Sequence, residues 1–127
     1  MTHRLRTVLV RQLPASLDRR SERAFVHELE MEMNVERPAV VIDCTQLECM
    51  DRAGVHLLLR CLEQAMMRRG DVRLAANAGV MEDLGAWGLD RLFRIFDSSE
   101  KAVESFKRRS VWVSPAAASA LVSEHAA

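Results

Sequence analysis

Residues 40–55 contain a predicted strand, a loop and the start of a helix. They read Val40-Val41-Ile42-Asp43-Cys44-Thr45-Gln46-Leu47-Glu48-Cys49-Met50-Asp51-Arg52-Ala53-Gly54-Val55. The apolar run up to Asp43 is typical of a strand that is covered on both faces of a parallel sheet. Asp51 is a candidate N-cap for the apolar helix that follows. Open α/β folds place functional residues in such loops, so we expect the functional site here.

The rest of the chain alternates between strand and helix patterns. Segments 7–13, 39–42, 72–76 and 92–96 have the composition and length of strands. Apolar residues at helical spacing predict helices within 17–33, over 52–69, over about 80–87 and after residue 97. Strands that alternate with helices of crossover length predict an α/β fold with a mostly parallel sheet of about four strands and about four helices.

Polar residues and glycines mark the expected helix ends. Either Ser16 or Asp18 would cap the first helix, and the pattern does not separate them. Gly70 is the expected C′ residue of the second helix, where a left-handed conformation is common. Asp97 and Glu100 have the spacing of a capping box at the start of the last helix.

Length and composition predict one small domain. The chain has 127 residues and a formal net charge of zero, which gives it no overall attraction to nucleic acid. We expect the domain to span residues 1–108 and residues 109–127 to form a partly disordered tail, in which 111–113 is a candidate added strand. No apolar run reaches the roughly 18–20 residues of a membrane span, and we expect a cytoplasmic protein with no membrane insertion.

Three residues near the loop have side chains that could carry chemistry: Cys44, Cys49 and His56. A catalytic site would also need a third, orienting group, and the sequence brings none to His56. Arg52 and Arg60 lie four residues on either side of His56, which indicates a polar, solvated helix face. The same three residues leave zinc one ligand short, so we predict neither a metal nor a cofactor. A Cys44–Cys49 disulfide switch stays open as an alternative, although cytosolic thiols are usually reduced.

The ordered series of segments resembles the STAS domain family, the bacterial anti-sigma factor antagonists and their relatives. The resemblance covers about residues 8–106 and is carried by 40–47, 50–59, 69–75 and 84–103. It implies a small mixed β-sheet with helices packed mainly against one side. It also implies a non-enzymatic regulatory role in transcription and signal transduction, exerted through protein–protein contact.

In the best-known members, the loop reads Asp-Ser-Ser-Gly or a close variant. A partner kinase, which is also the anti-sigma factor, phosphorylates the hydroxyl before the glycine. The unphosphorylated form binds that kinase and frees the sigma factor. This chain departs from the pattern, because Ala53 precedes Gly54 and Arg52 precedes Ala53. Thr45 is the nearest hydroxyl and does not match the phosphosite, so we expect a loop that is not phosphorylated at position 53.

The N-terminal part departs as well. Residues 13–18 stand where many family members have a Gly-x-Leu-Asp-like turn, and the family's first strand is expected to be shortened or missing.

The resemblance implies a partner-binding surface formed by Asp51, Arg52, Ala53 and Gly54 and extended along the helix by His56 and Arg60. The implied partner is an anti-sigma factor with a serine-kinase-like domain, or another signalling component. The alternative for Asp51 and Gly54 is that they only shape the loop.

Two alternative functions also stay open. One is a scaffold or regulatory subunit of a stress-signalling assembly or a transporter. The other is a thiol enzyme that uses Cys49 or Cys44 and would need a depressed thiol pKa.

Overall fold

The computed structural model describes residues 7–107, and the tail and the added strand expected after residue 108 lie outside this range. The strands are β1 (Val8–Gln12), β2 (Ala39–Cys44), β3 (Asp71–Ala76) and β4 (Arg94–Phe96). The helices are α1 (Arg19–Glu32), α2 (Arg52–Met67), α3 (Ala78–Ala86) and α4 (Ser99–Lys107), with a 3-10 turn at Leu89–Arg91. None of these described helices combines the length and apolar character needed to cross a membrane.

The strands form one sheet in the order β1-β2-β3-β4, and all three pairings among the described strands are parallel. In the centre of the sheet, Val40 pairs with Leu9 on one side and with Val72 on the other. The predicted α/β fold of four strands and four helices is therefore confirmed. Because the strands are parallel, their carboxyl ends lie at the same edge, together with the starts of the helices that follow them.

Helices cover the sheet on both faces, three on one side and one on the other. Val40 and Ile42 of β2 point to the main core, and Val41 points to α4. All six residues of β2 are buried, as the apolar run predicted. Apolar residues of the main core come from α1, α2 and α3 and include Val26, Leu29, Leu57, Leu58, Cys61, Leu62, Val80 and Leu84. On the opposite face, Ala39 and Val41 pack against Ala102 and Phe106 of α4.

Asp18, and not Ser16, caps α1. The Ser21 N–H donates to Asp18 Oδ1 at 2.8 Å, and the Asp18 N–H donates to Ser21 Oγ at 3.0 Å. These two bonds form a capping box in which serine replaces the more common glutamate.

The capping box predicted between Asp97 and Glu100 is wrong by one residue. The helix begins at Ser99, and the Lys101 N–H donates to Ser98 Oγ at 3.2 Å. Asp97 instead pairs with the Lys101 ammonium group at 3.0 Å. Aspartate and serine are comparable caps, so composition alone does not choose between neighbours of these types.

The end of α2 also differs by one residue from the prediction. Arg69, and not Gly70, has the left-handed conformation, with φ of 60°. The Gly70 N–H donates to the Ala65 carbonyl at 2.8 Å and the Arg69 N–H to the Met66 carbonyl at 3.0 Å, which is the Schellman pattern. Gly70 is required for space, because a Cβ atom there would lie 2.2 Å from the Pro38 carbonyl oxygen.

We predict that Gly70→Ala lowers the free energy of unfolding by about 2 kcal/mol, since the backbone of Pro38 must move to admit the methyl group. Urea denaturation followed by circular dichroism measures the change. Gly85→Ala is the control, because the nearest atom to its added Cβ lies 3.9 Å away and helix propensity should then raise stability by about 0.5 kcal/mol. Equal effects of the two substitutions would contradict the steric explanation.

Candidate functional site

The loop between β2 and α2 begins at a buried carboxylate. Asp43 ends the apolar part of β2 and is 9% exposed. Its Oδ1 accepts hydrogen bonds from the Thr45 N–H at 2.8 Å and from the Thr45 hydroxyl at 2.5 Å. The carboxylate thus closes the first turn of the loop, and the Thr45 hydroxyl is engaged in holding that turn.

Asn77, at the carboxyl end of β3, holds the middle of the loop. Its Nδ2 donates to the carbonyl oxygens of Thr45 at 3.0 Å and of Leu47 at 3.3 Å. Its Oδ1 accepts from the Val80 N–H at 2.9 Å and so caps α3. One amide side chain therefore links the loop to the start of the neighbouring helix.

The peptide groups on both sides of Met50 are held by side chains of α3 and its end. The Met50 N–H donates to Asp83 Oδ2 at 2.9 Å, and the Met50 carbonyl accepts from the Trp87 indole N–H at 3.1 Å. The Met50 side chain is buried, and a Cβ atom on Gly54 would lie 2.6 Å from its sulfur. Gly54 therefore leaves room for the methionine that anchors the loop in the core.

The predicted cap of α2 is confirmed. Asp51 Oδ1 accepts from the Gly54 N–H at 3.1 Å. Both residues therefore shape the loop. Arg52 is exposed and Ala53 is half-buried at the surface of the first turn of α2.

The other expected contact residues line a groove between α1 and α2 with a volume of about 890 Å³. His56 Nδ1 lies 2.5 Å from Glu22 Oε1, and Arg60 Nη2 lies 3.5 Å from Glu30 Oε1. The polar face of α2 is thus bridged to α1. Residues of both helices line the groove: Arg19, Glu22, Arg23, Val26, His27, Glu30, Arg52, Ala53, His56 and Arg60.

Sequence reasoning missed the part of the groove that α1 contributes. Glu22 and His56 are 34 residues apart in the chain, and only the fold brings them together. A usable signal exists in the spacing of Arg19, Arg23 and His27, which repeats every four residues and places three basic or titratable groups on one helix face.

The cysteines lie in different environments. Cys44 and Cys61 are buried, and Cys49 is exposed; all three are free thiols. Burial raises the pKa of Cys44 to about 12, and the charge of Asp43 adds to the effect. Burial also raises the pKa of Cys61 to about 12. Among residues 7–107, no group of three or more histidine, cysteine or acidic side chains is arranged to hold a metal ion.

Comparisons with known proteins agree with this architecture. The model of the STAS domain family matches residues 1–102. The structure of an anti-sigma-factor antagonist (STAS) domain protein from Planctomyces limnophilus has a TM-score of 0.66 and 17% identity, over 76% of this chain and 88% of that chain. A putative anti-sigma factor antagonist from Thermotoga maritima has a TM-score of 0.64 and 19% identity, over 80% of this chain and 88% of that one.

A comparison with curated proteins found no match. The match to the family model covers most of the chain, and the two solved structures share its fold. The chain belongs to the STAS domain family.

Proposed function

We propose that this chain is a non-enzymatic regulatory module that binds another protein in the manner of an anti-sigma factor antagonist. The surface where α1 and α2 begin is the docking site, and it works without phosphorylation at position 53. The observation that carries the proposal is Ala53 itself. It stands in the first turn of α2, on the wall of the groove, at the position that the family resemblance gives to a hydroxyl.

The fixed conformation of the loop supports a docking role. Its backbone is held by Asp43, Asn77, Asp83 and Trp87. A surface that is already ordered loses little conformational entropy when a partner binds, which favours affinity. Because Met50 is buried and its backbone is bonded to α3, the first turn of α2 presents Arg52 and Ala53 in a defined position.

Position 53 also determines the electrostatic state of the surface. A phosphorylated serine would add about two negative charges at the start of α2. Alanine adds none, so the surface keeps the neutral side chain that corresponds to the binding form of the family. Thr45 is a poor substitute, because its hydroxyl donates to Asp43 at 2.5 Å. We therefore propose a partner of the anti-sigma factor type that this chain binds constitutively.

A scaffold or regulatory subunit in a stress-signalling assembly or a transporter is the second candidate. The same observation favours it, because a constitutive binding surface suits a structural role. A neighbouring gene for an anti-sigma kinase would favour the first candidate, and a neighbouring transporter or sensor operon the second.

Incubation with the cognate kinase and ATP should leave residues 43–55 without phosphate, because Ala53 has no hydroxyl and that of Thr45 is engaged. Phosphopeptide mass spectrometry measures the outcome. Ala53→Ser restores the hydroxyl and should be phosphorylated if the kinase accepts Arg52 beside it. Phosphate on this loop in the unaltered protein would refute the proposed locked state.

Ala53→Glu should weaken binding of the partner about tenfold, since it places a permanent negative charge on the docking surface; a tenfold change corresponds to about 1.4 kcal/mol. Calorimetric titration with the purified partner measures the affinity. Ala53→Gln is the matched control, because it has nearly the same shape and no charge. If glutamine is as harmful as glutamate, bulk and not charge explains the loss.

For the thiol enzyme, burial disfavours Cys44 as the nucleophile and leaves the exposed Cys49 as the candidate. We predict that at pH 8 only Cys49 reacts readily with a thiol reagent, because Cys44 and Cys61, with pKa values of about 12, stay protonated and enclosed. Mass spectrometry of the labelled protein should show one modified thiol while the chain is folded and three after unfolding in urea. Labelling of Cys44 or Cys49 that is faster in the folded protein than in the unfolded control would favour the thiol enzyme.

A further inference from the structure

We propose that the groove between α1 and α2 binds an acidic α-helix of the partner protein, and that Arg19, Arg23 and Arg52 pair with its carboxylates. The inference rests on the proposed function, since it assigns a chemistry to the partner that docks there. It adds two residues of α1 to a surface that the family resemblance places on the loop and α2.

The groove has a local excess of positive charge. Four arginines and two glutamates line it, while the whole chain has a formal net charge of zero. Both glutamates are already engaged, Glu22 with His56 and Glu30 with Arg60. Arg19, Arg23 and Arg52 form no ion pair with another residue of the described range 7–107. Their charges are therefore available to an incoming anionic surface.

The positions of two of these arginines are unfavourable for the helices that carry them. Arg19 is the first residue of α1 and Arg52 is the first residue of α2. The start of a helix carries partial positive charge, so cations there are destabilising. The N-cap carboxylates of Asp18 and Asp51 offset part of this cost, although the first turn of α2 after its cap contains no acidic residue. Local rules of stability are typically broken at functional sites, and here the broken rule brings cations to one end of the groove.

The geometry fits a helix better than a single phosphate group. The face of α1 that lines the groove runs from Arg19 to Glu30, which is about 17 Å or three turns. Arg19 and Arg23 are four residues apart, so they match carboxylates at the same spacing on a facing helix. Val26, which is 8% exposed, and Ala53 give the groove two small apolar side chains. A partner helix can approach closely over these, with its carboxylates toward the arginines.

The test uses a fluorescent, end-capped peptide of about 18 residues, long enough to form a helix, with glutamates four residues apart beside a leucine stripe. A second peptide has glutamine in place of every glutamate. Fluorescence anisotropy with the full chain should show binding of the glutamate peptide at least about tenfold tighter than the glutamine peptide, and added salt should reduce the difference.

Arg19→Glu and Arg20→Glu form a matched pair of variants. Both residues lie in the first turn of α1, but Arg20 does not line the groove. Both substitutions replace a cation at a helix start by an anion, so both should raise Tm by a few degrees. Arg19→Glu should lower the affinity for the glutamate peptide about fivefold, and the double variant Arg19→Glu with Arg23→Glu should lower it more than tenfold. Arg20→Glu should change this affinity by no more than about twofold. Loss of binding with a higher Tm cannot come from unfolding.

Three results would overturn the inference: equal affinity for the two peptides, equal losses for Arg19→Glu and Arg20→Glu, or tighter binding of a peptide that carries one phosphoserine and no glutamate. Failure of the inference is separable from failure of the proposed function. If the protein binds the two peptides equally while Ala53→Glu still weakens binding of the partner, the docking site is supported and the acidic helix is refuted. If the glutamate peptide binds but Ala53→Glu leaves the affinity for the partner unchanged, the proposed function is refuted.

Discussion

Burial of β2 on both faces is the constraint on which the rest of the structure depends. All six of its residues are buried, because α1, α2 and α3 cover one face of the sheet and α4 covers the other. Val40 and Ile42 provide one core and Val41 the other. The helices α1 and α2 pack on the same face of the sheet, and each follows one of two parallel strands. Their first turns therefore lie at the same edge of the sheet. The groove and the loop are thus products of one packing arrangement.

The loop that leads into α2 is held by α3 and its ends, although α3 does not line the groove. Asn77, Asp83 and Trp87 belong to α3 and its two ends, and they do not line the groove. Each nevertheless bonds to the backbone of the loop that leads into α2. The position of Ala53 therefore depends on residues more than 20 positions further along the chain, and α3 supports the proposed docking surface from behind the loop.

The sequence was sufficient where one local signal dominated. The apolar run of β2, the periodicity of α2 and the cap at Asp51 were predictable because each depends on residues within one turn or one strand. Two helix ends were misplaced by one residue. At Ser98 two neighbouring residues are comparable caps, and at Arg69 the contact of Gly70 with Pro38 decides which residue turns. The sequence did not predict the groove, because its ion pairs join residues that are far apart in the chain. Glu22 and His56, for example, are separated by 34 positions.

The methyl group of Ala53 has a consequence for how such a protein would regulate. Under the proposed function, no enzyme can switch this molecule off by covalent modification at that position. The concentration of free partner then depends on stoichiometry, because each molecule of this chain sequesters one partner molecule until one of the two proteins is used up. Output follows the ratio of two synthesis and degradation rates, with a sharp threshold near equal amounts. The activity of the partner is then regulated by the amount of this protein and not by modification of one of its side chains.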